Sequence, residues 1–208
     1  NFMNRCVIIA GADINNYENA KKYLKDDDFI ICCDCGLRHL QKLNVKPDLI
    51  VGDFDSHKNP HLPVETIVLP CEKDDTDTGF AVKEALKRGA NDFLFLGVIG
   101  NRFDHSFAII SILLILDTLG KSALAIDDFS ELQIISSQKA FISDEFSFFS
   151  LLNVSGTAEG ISIKNAKYPL ENAIIKSEDQ YGISNQVLPN QIAEVSIQKG
   201  RLLLIRVK

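Results

Sequence analysis

The sequence predicts an α/β N-terminal domain, with a mostly parallel sheet flanked by helices, followed by a C-terminal antiparallel β-sandwich. Two observations carry this. Up to about Asp128, short runs that are apolar throughout alternate with helix-like segments, as expected of strands covered on both faces. Beyond it the helical patterns vanish, and short strand-like runs separated by Ser, Asn and Gly take over. A chain of 208 residues is long enough for one large core or two modest ones. The expected division is therefore 1–128 and 129–208, with no flexible linker at Asp127 to Ser130.

In the first part the expected strands are Val7 to Ala10, Phe29 to Cys33, Leu49 to Val51, Thr66 to Leu69, Phe93 to Leu96 and Ala123 to Ile126. Helical periodicity fills the gaps at Tyr17 to Leu24, Leu37 to Leu43, Thr78 to Lys87 and Phe107 to Leu119. In the second part the expected strands are Leu132 to Ile135, Phe146 to Leu152, Ile161 to Ile163, Ala173 to Lys176, Ile192 to Ile197 and Leu202 to Val207.

Composition narrows the function classes. The net charge of -6 argues against broad nucleic-acid binding, which needs a basic surface. It does not exclude a nucleotide substrate, because a divalent metal makes an acidic cluster attractive to triphosphate. The start, Asn1-Phe2-Met3, lacks the basic, apolar opening of a secretion signal. The most apolar stretch, Phe107 to Leu116, is too short to span a bilayer, so no membrane partner is expected. Five cysteines without a C-x-x-C or paired zinc pattern read as reduced thiols in a cytoplasmic protein.

The acidic residues of the first part are not scattered. Asp34, Asp53, Asp55, Asp77 and Asp104 each fall just after an expected strand or at the start of the following helix, where open α/β sheets bind ligands. Carboxylates converging there need a cation among them, and hard oxygen donors favour magnesium. In Pro47-Asp48-Leu49-Ile50-Val51-Gly52-Asp53-Phe54-Asp55-Ser56, Gly52 permits a tight turn and the alternation projects Asp53 and Asp55 toward one side. An acidic turn capping a helix would give the same local pattern.

In Glu72-Lys73-Asp74-Asp75-Thr76-Asp77-Thr78-Gly79, Thr76 or Asp77 can cap a helix whose free N–H groups hold phosphate oxygens, and Lys73 adds a point charge. In Gly97-Val98-Ile99-Gly100-Asn101-Arg102-Phe103-Asp104-His105, two glycines allow close backbone approach and Arg102 offers forked donors. This is neither a dinucleotide fingerprint nor a P-loop. His105 reads as a hydrogen-bonding residue at a helix start. Together the segments point to phosphoryl transfer.

In this order, Gly52-Asp53-Phe54-Asp55-Ser56, Lys73-Asp74-Asp75-Thr76-Asp77 and Gly100-Asn101-Arg102-Phe103-Asp104-His105 resemble the thiamine pyrophosphokinase family. Cys33-Asp34-Cys35-Gly36 is similar to its first Asp and Gly loop, and Lys167-Tyr168-Pro169-Leu170 with Gly182-Ile183-Ser184-Asn185 to its C-terminal signatures. The resemblance implies an ATP- and magnesium-binding catalytic domain, a thiamine-binding sandwich and a homodimer with its active site at the subunit interface.

It further implies that Asp53, Asp55 and Asp77 carry magnesium and, with Arg102, form the catalytic set. Lys73, Asp74, Thr76, Arg102 and Asp104 would complete the ATP site with Asp34 in the same cleft, while Ser184 and Asn185 contact thiamine. The chain departs from the family pattern at Cys35 and Asn101, where glycine is common, and has no tryptophan to stack on the vitamin. Two other readings fit the acidic cluster: a magnesium-dependent phosphohydrolase using Asp53 and Asp55, and a non-catalytic nucleotide-sensing protein.

Overall fold

Runs that are apolar throughout become strands buried on both faces. In this computed structural model, which describes residues 3–208, Asn1 and Phe2 of the chain start lie outside the described residues. The chain divides into two compact units, one ending at Asp128 and one running Phe129–Lys208.

In the first unit, β1 (Cys6–Ile9), β2 (Phe29–Cys33), β3 (Leu49–Gly52), β4 (Glu65–Val68), β5 (Asp92–Leu96) and β6 (Ser122–Ile126) are all parallel. Their order is β4-β3-β2-β1-β5-β6. β1 and β3 are buried at every position. Helices α1 (Tyr17–Lys21), α2 (Leu40–Leu43), α3 (Asp77–Lys87) and α4 (Phe103–Thr118) connect them. Val7, Ile9, Ile30, Cys32, Leu94 and Leu96 form one core with Ala20 of α1 and Leu43 of α2. α3 packs on β1, β2 and β3, burying Ala81, Val82 and Ala85.

Three helices depart from expectation, the first being α1, which ends at Lys21 rather than Leu24. The stretch read as one helix over Leu37 to Leu43 is a 3₁₀ turn, Asp34–His39, followed by α2. α4 starts at Phe103 rather than Phe107, because after Phe103 its first turn, Asp104-His105-Ser106, is polar and escapes apolar periodicity.

The second unit contains β7 (Ser130–Ile135), β8 (Ala140–Ser143), β9 (Phe148–Leu152), β10 (Ala158–Lys164), β11 (Leu170–Ile175), β12 (Ile192–Ser196) and β13 (Leu202–Val207). β7-β13-β9 form one antiparallel set and β11-β10-β12-β8 another. Residues of both sets, including Ile135, Phe149, Leu151, Leu202 and Leu204 against Ile142, Ile161, Ile163, Ile175 and Val195, share one core. This is a sandwich.

The strand order positions the site. Connections leave β1 toward β2 on one side and β5 toward β6 on the other, so the chain diverges after these two neighbours. A crevice opens at such a switch point, outside the carboxyl ends of the strands.

Candidate active site

The site is assembled from residues that follow β2, β3 and β5 and from the start of α3. Asp34, immediately after β2, is buried at 4% exposure. Its carboxylate accepts hydrogen bonds from the Cys35 N–H at 2.6 Å and the Phe54 N–H at 2.9 Å, so it ties the end of β2 to the end of β3. Gly52 serves this contact: a Cβ there would lie 2.5 Å from Asp34 Cγ. The left-handed residue of the turn is Phe54, at φ +55°, a conformation unfavourable for a bulky side chain and held here by its N–H bond to Asp34.

Thr76 caps α3, its hydroxyl accepting from the Gly79 N–H at 3.0 Å, and this sets Asp77 in the first helical turn. Lys73 Nζ lies 2.8 Å from Asp53 Oδ2 and 2.8 Å from Asp77 Oδ1. The second contact is an ion pair, and the buried Asp77 Oδ1 meets no other donor among the described residues.

Oxygens of Asp34, Asp53 and Asp77 all lie within 4.8 Å of one another. Burial pushes the Asp77 carboxyl above the usual carboxylate range against the pull of Lys73, while Lys73 holds Asp53 below it. Burial works against the charge of Lys73, but its contacts to Asp53 and Asp77 outweigh that and raise the ammonium above its ordinary value.

The third wall comes from the loop after β5. Gly97 adopts φ +66° with its Cα so close to β1 that a Cβ would lie 2.3 Å from the Ala10 carbonyl oxygen. The Ala12 N–H donates to the Gly97 carbonyl at 2.8 Å, locking the loops after β1 and β5 together. The Ser106 hydroxyl accepts from the Gly100 N–H at 2.9 Å and donates to the Gly100 carbonyl at 3.2 Å, fixing the loop that carries Arg102. Arg102 makes a bidentate pair with Asp104, at 3.0 and 2.8 Å, which draws the Asp104 carboxyl down to about 2. The pair is exposed, so the guanidinium is free to exchange this partner for an anion.

These walls enclose a cleft of about 540 Å³. Asp34, Asp53, Asp55, Lys73, Thr76, Asp77 and Arg102 line it, with His105 and an apolar strip of Val98, Ala108, Ile109 and Ile112. Asp55 sits on the wall outside the close carboxylate trio, with Ser56 Oγ donating to it at 3.0 Å. Asp74 is exposed and Asp104 reaches the cleft through Arg102.

Comparison with known proteins addresses this arrangement. Residues 20–123 match the model of the thiamin pyrophosphokinase catalytic domain, and residues 134–202 that of the thiamin pyrophosphokinase vitamin B1 binding domain. The chain belongs to the thiamin pyrophosphokinase family. A thiamine pyrophosphokinase from Bacillus subtilis is 26% identical over 207 residues, covering 96% of each chain. A solved structure of that name from B. subtilis superposes with TM-score 0.86 at 25% identity, covering 98% of this chain and 99% of that one. The fold is also that of thiamin pyrophosphokinase from Candida albicans, with TM-score 0.74, 18% identity and coverage of 99% and 90%.

In this thiamin pyrophosphokinase family member, Ser184 and Asn185 lie in the second unit. Ser184 is exposed at φ +58°, its N–H donating to Ser150 Oγ at 3.0 Å. Asn185 is buried: Oδ1 accepts from Tyr168 N–H at 3.0 Å and Gln186 N–H at 2.9 Å, and Nδ2 donates to the Tyr168 carbonyl at 2.9 Å. Its polar groups thus join the two C-terminal signature turns.

Sequence reasoning did not single out Ser106, the apolar strip or His39. The first two carry no local motif. His39 is fully buried, with Nε2 2.8 Å from the Ala12 carbonyl oxygen and Nδ1 2.7 Å from Tyr17 Oη. A neutral ring donating from Nε2 and accepting at Nδ1 satisfies both contacts, and burial lowers its pKa in the same sense.

Proposed function

We propose that the cleft at the carboxyl ends of β1, β2, β3 and β5 transfers the terminal diphosphoryl group of ATP to the hydroxyl of thiamine, giving thiamine diphosphate and AMP. The observation that carries this is the close trio of Asp34, Asp53 and Asp77 facing Lys73 and the capped start of α3. Membership of the family supplies the reaction class.

The residues fit a divalent cation. Three carboxylates supply hard oxygen donors, and the buried Asp77 Oδ1 meets no donor but Lys73 among the described residues. Asp34, Asp53 and Asp77 would hold magnesium, with Asp55 beside them on the same wall. The ion would offset the charge of the triphosphate at the point of transfer.

This chain's own groups do the positioning. Lys73 and the free N–H groups at the start of α3 bind phosphate oxygens, and the glycine loop lets its backbone approach them closely. Arg102 exchanges Asp104 for the polyphosphate as charge develops. The apolar strip of Val98, Ala108, Ile109 and Ile112 gives a flat base or ring a dry face. Aligning the attacking hydroxyl with the β-phosphorus, with AMP leaving, accounts for catalysis without a covalent enzyme intermediate.

The second unit would bind thiamine through Ser184, with Asn185 holding the turn that presents it and exposed Tyr168 offering an aromatic face in a chain without tryptophan. A homodimer with its active site at the subunit interface and a cytoplasmic setting complete the reading. No helix among the described residues is long and apolar enough to cross a membrane.

ATP labelled at the β-phosphorus tests it. Label recovered in thiamine diphosphate, in equal amount to AMP, is expected. Inorganic phosphate released without thiamine would point to a hydrolase, and bound nucleotide that never turns over would point to a sensor.

A further inference from the structure

The cation already inside the carboxylate cluster is a side chain. Lys73 Nζ lies 2.8 Å from an oxygen of Asp53 and 2.8 Å from an oxygen of Asp77, two of the three residues able to share one ion. A magnesium ion binds carboxylate oxygens at about 2.1 Å, so an ion on either of these oxygens would stand within about 5 Å of the ammonium. Two cations at that distance in a partly buried site repel strongly. Lys73 and Asp77 side chains are only 17% and 19% exposed, so water screens the pair weakly.

We infer that Lys73 is a resident counter-ion that must leave the carboxylates when the metal enters, and that the polyphosphate is what draws it away. Metal and nucleotide then bind as one unit, because the phosphates receive the ammonium that the carboxylates give up. The cleft itself provides the destination: Lys73 stands four residues before Asp77, at the capped start of α3 where phosphate is expected. The metal alone has to compete with Lys73, whereas the metal–nucleotide complex does not. This inference rests on reading the cleft as a metal–nucleotide site.

The test measures manganese binding by electron paramagnetic resonance on the full chain without thiamine, with and without ATP. Wild type, Lys73→Met, Asp53→Asn and, as a control on α3, Lys83→Gln are compared. Lys83 pairs with Asp75 and is mostly exposed, outside the cluster. The expected result is at least ten-fold tighter binding of manganese alone by Lys73→Met than by wild type, with Lys83→Gln unchanged. ATP should tighten manganese binding in wild type by far more than in Lys73→Met.

Equal affinity of wild type and Lys73→Met for manganese alone, with metal–ATP binding intact in wild type and lost in Asp53→Asn, would overturn the counter-ion role and leave the metal site standing. No manganese bound with or without ATP would overturn the site reading and the inference together. Should Lys73→Met fail to fold, a crystal structure of wild type with magnesium and a non-hydrolysable ATP analogue decides. Lys73 Nζ on a phosphate oxygen and away from Asp53 and Asp77 is expected; Lys73 still bridging both carboxylates beside the metal would refute it.

Discussion

Asn185 in the second unit and Asp77 in the first are both polar residues held against apolar strands, yet their accounts close differently. Asn185 accepts at Oδ1 from the Tyr168 and Gln186 N–H groups and donates from Nδ2 to the Tyr168 carbonyl, so its contacts tie backbone to backbone. Asp77 keeps a buried oxygen whose one close donor among the described residues is the Lys73 ammonium, in a cluster of three carboxylates facing that lysine. A buried polar group that is fully satisfied builds the fold; one left with excess charge is held in readiness for a ligand. Both residues belong to signature segments, so sequence alone does not separate the two roles.

Asp34 straddles this comparison and gives the largest expected effect. Its oxygens bind two backbone N–H groups and also belong to the trio. Asp34→Asn turns an amide N–H₂ toward a backbone donor, so activity should fall by about 10²-fold or more and stability by roughly 1–3 kcal/mol. Steady-state kinetics and urea unfolding check both. A stable, inactive variant would place Asp34 wholly in the site class.

Next is Asn185→Ala, which strands two N–H groups and one carbonyl and should cost about 3 kcal/mol in urea unfolding. A loss confined to thiamine affinity, with stability intact, would move Asn185 to the ligand-binding class.

His39 makes a smaller, pH-dependent prediction. Its folded pKa lies below the unfolded value, so unfolding takes up protons in this range and the neutral buried ring stabilises the fold fully above about pH 6.5. That contribution is lost as pH falls from there through the folded pKa. Urea midpoints should drop more steeply below pH 6.5 in wild type than in His39→Gln. Parallel pH profiles would remove His39 from the account.

The mildest change is Ser106→Ala, which frees the Gly100 loop. It should raise the KM for ATP several-fold, at about 1 kcal/mol, with Ser106→Thr restoring it. An unchanged KM in both variants would show that the loop holds itself.

How far these roles were legible follows from what each one depends on. β1, β2 and β3 could be read because strands buried on both faces are apolar at nearly every position. β8 was missed because Ala140-Phe141-Ile142-Ser143 alternates buried and exposed over only four residues, too short a run for a pattern. The convergence of Asp34 on Asp53 and Asp77 depends on parallel pairing of β2 with β3, which no local motif announces. Gly52 read as a turn residue, whereas its lack of a side chain makes room for Asp34 and Phe54 takes the positive φ. For the same reason Asp53 and Asp55 do not follow strand alternation: the extended backbone ends at Gly52.

The claim on which the rest depends is that excess charge at Asp77 serves the diphosphoryl transfer. Phosphorus NMR of ATP, magnesium and thiamine with wild type and Asp77→Asn, both shown folded by circular dichroism, tests it in one experiment. The account predicts equal AMP and thiamine diphosphate from wild type and a rate lower by about 10²–10³-fold in the variant. A folded Asp77→Asn that forms thiamine diphosphate at the wild-type rate would contradict it.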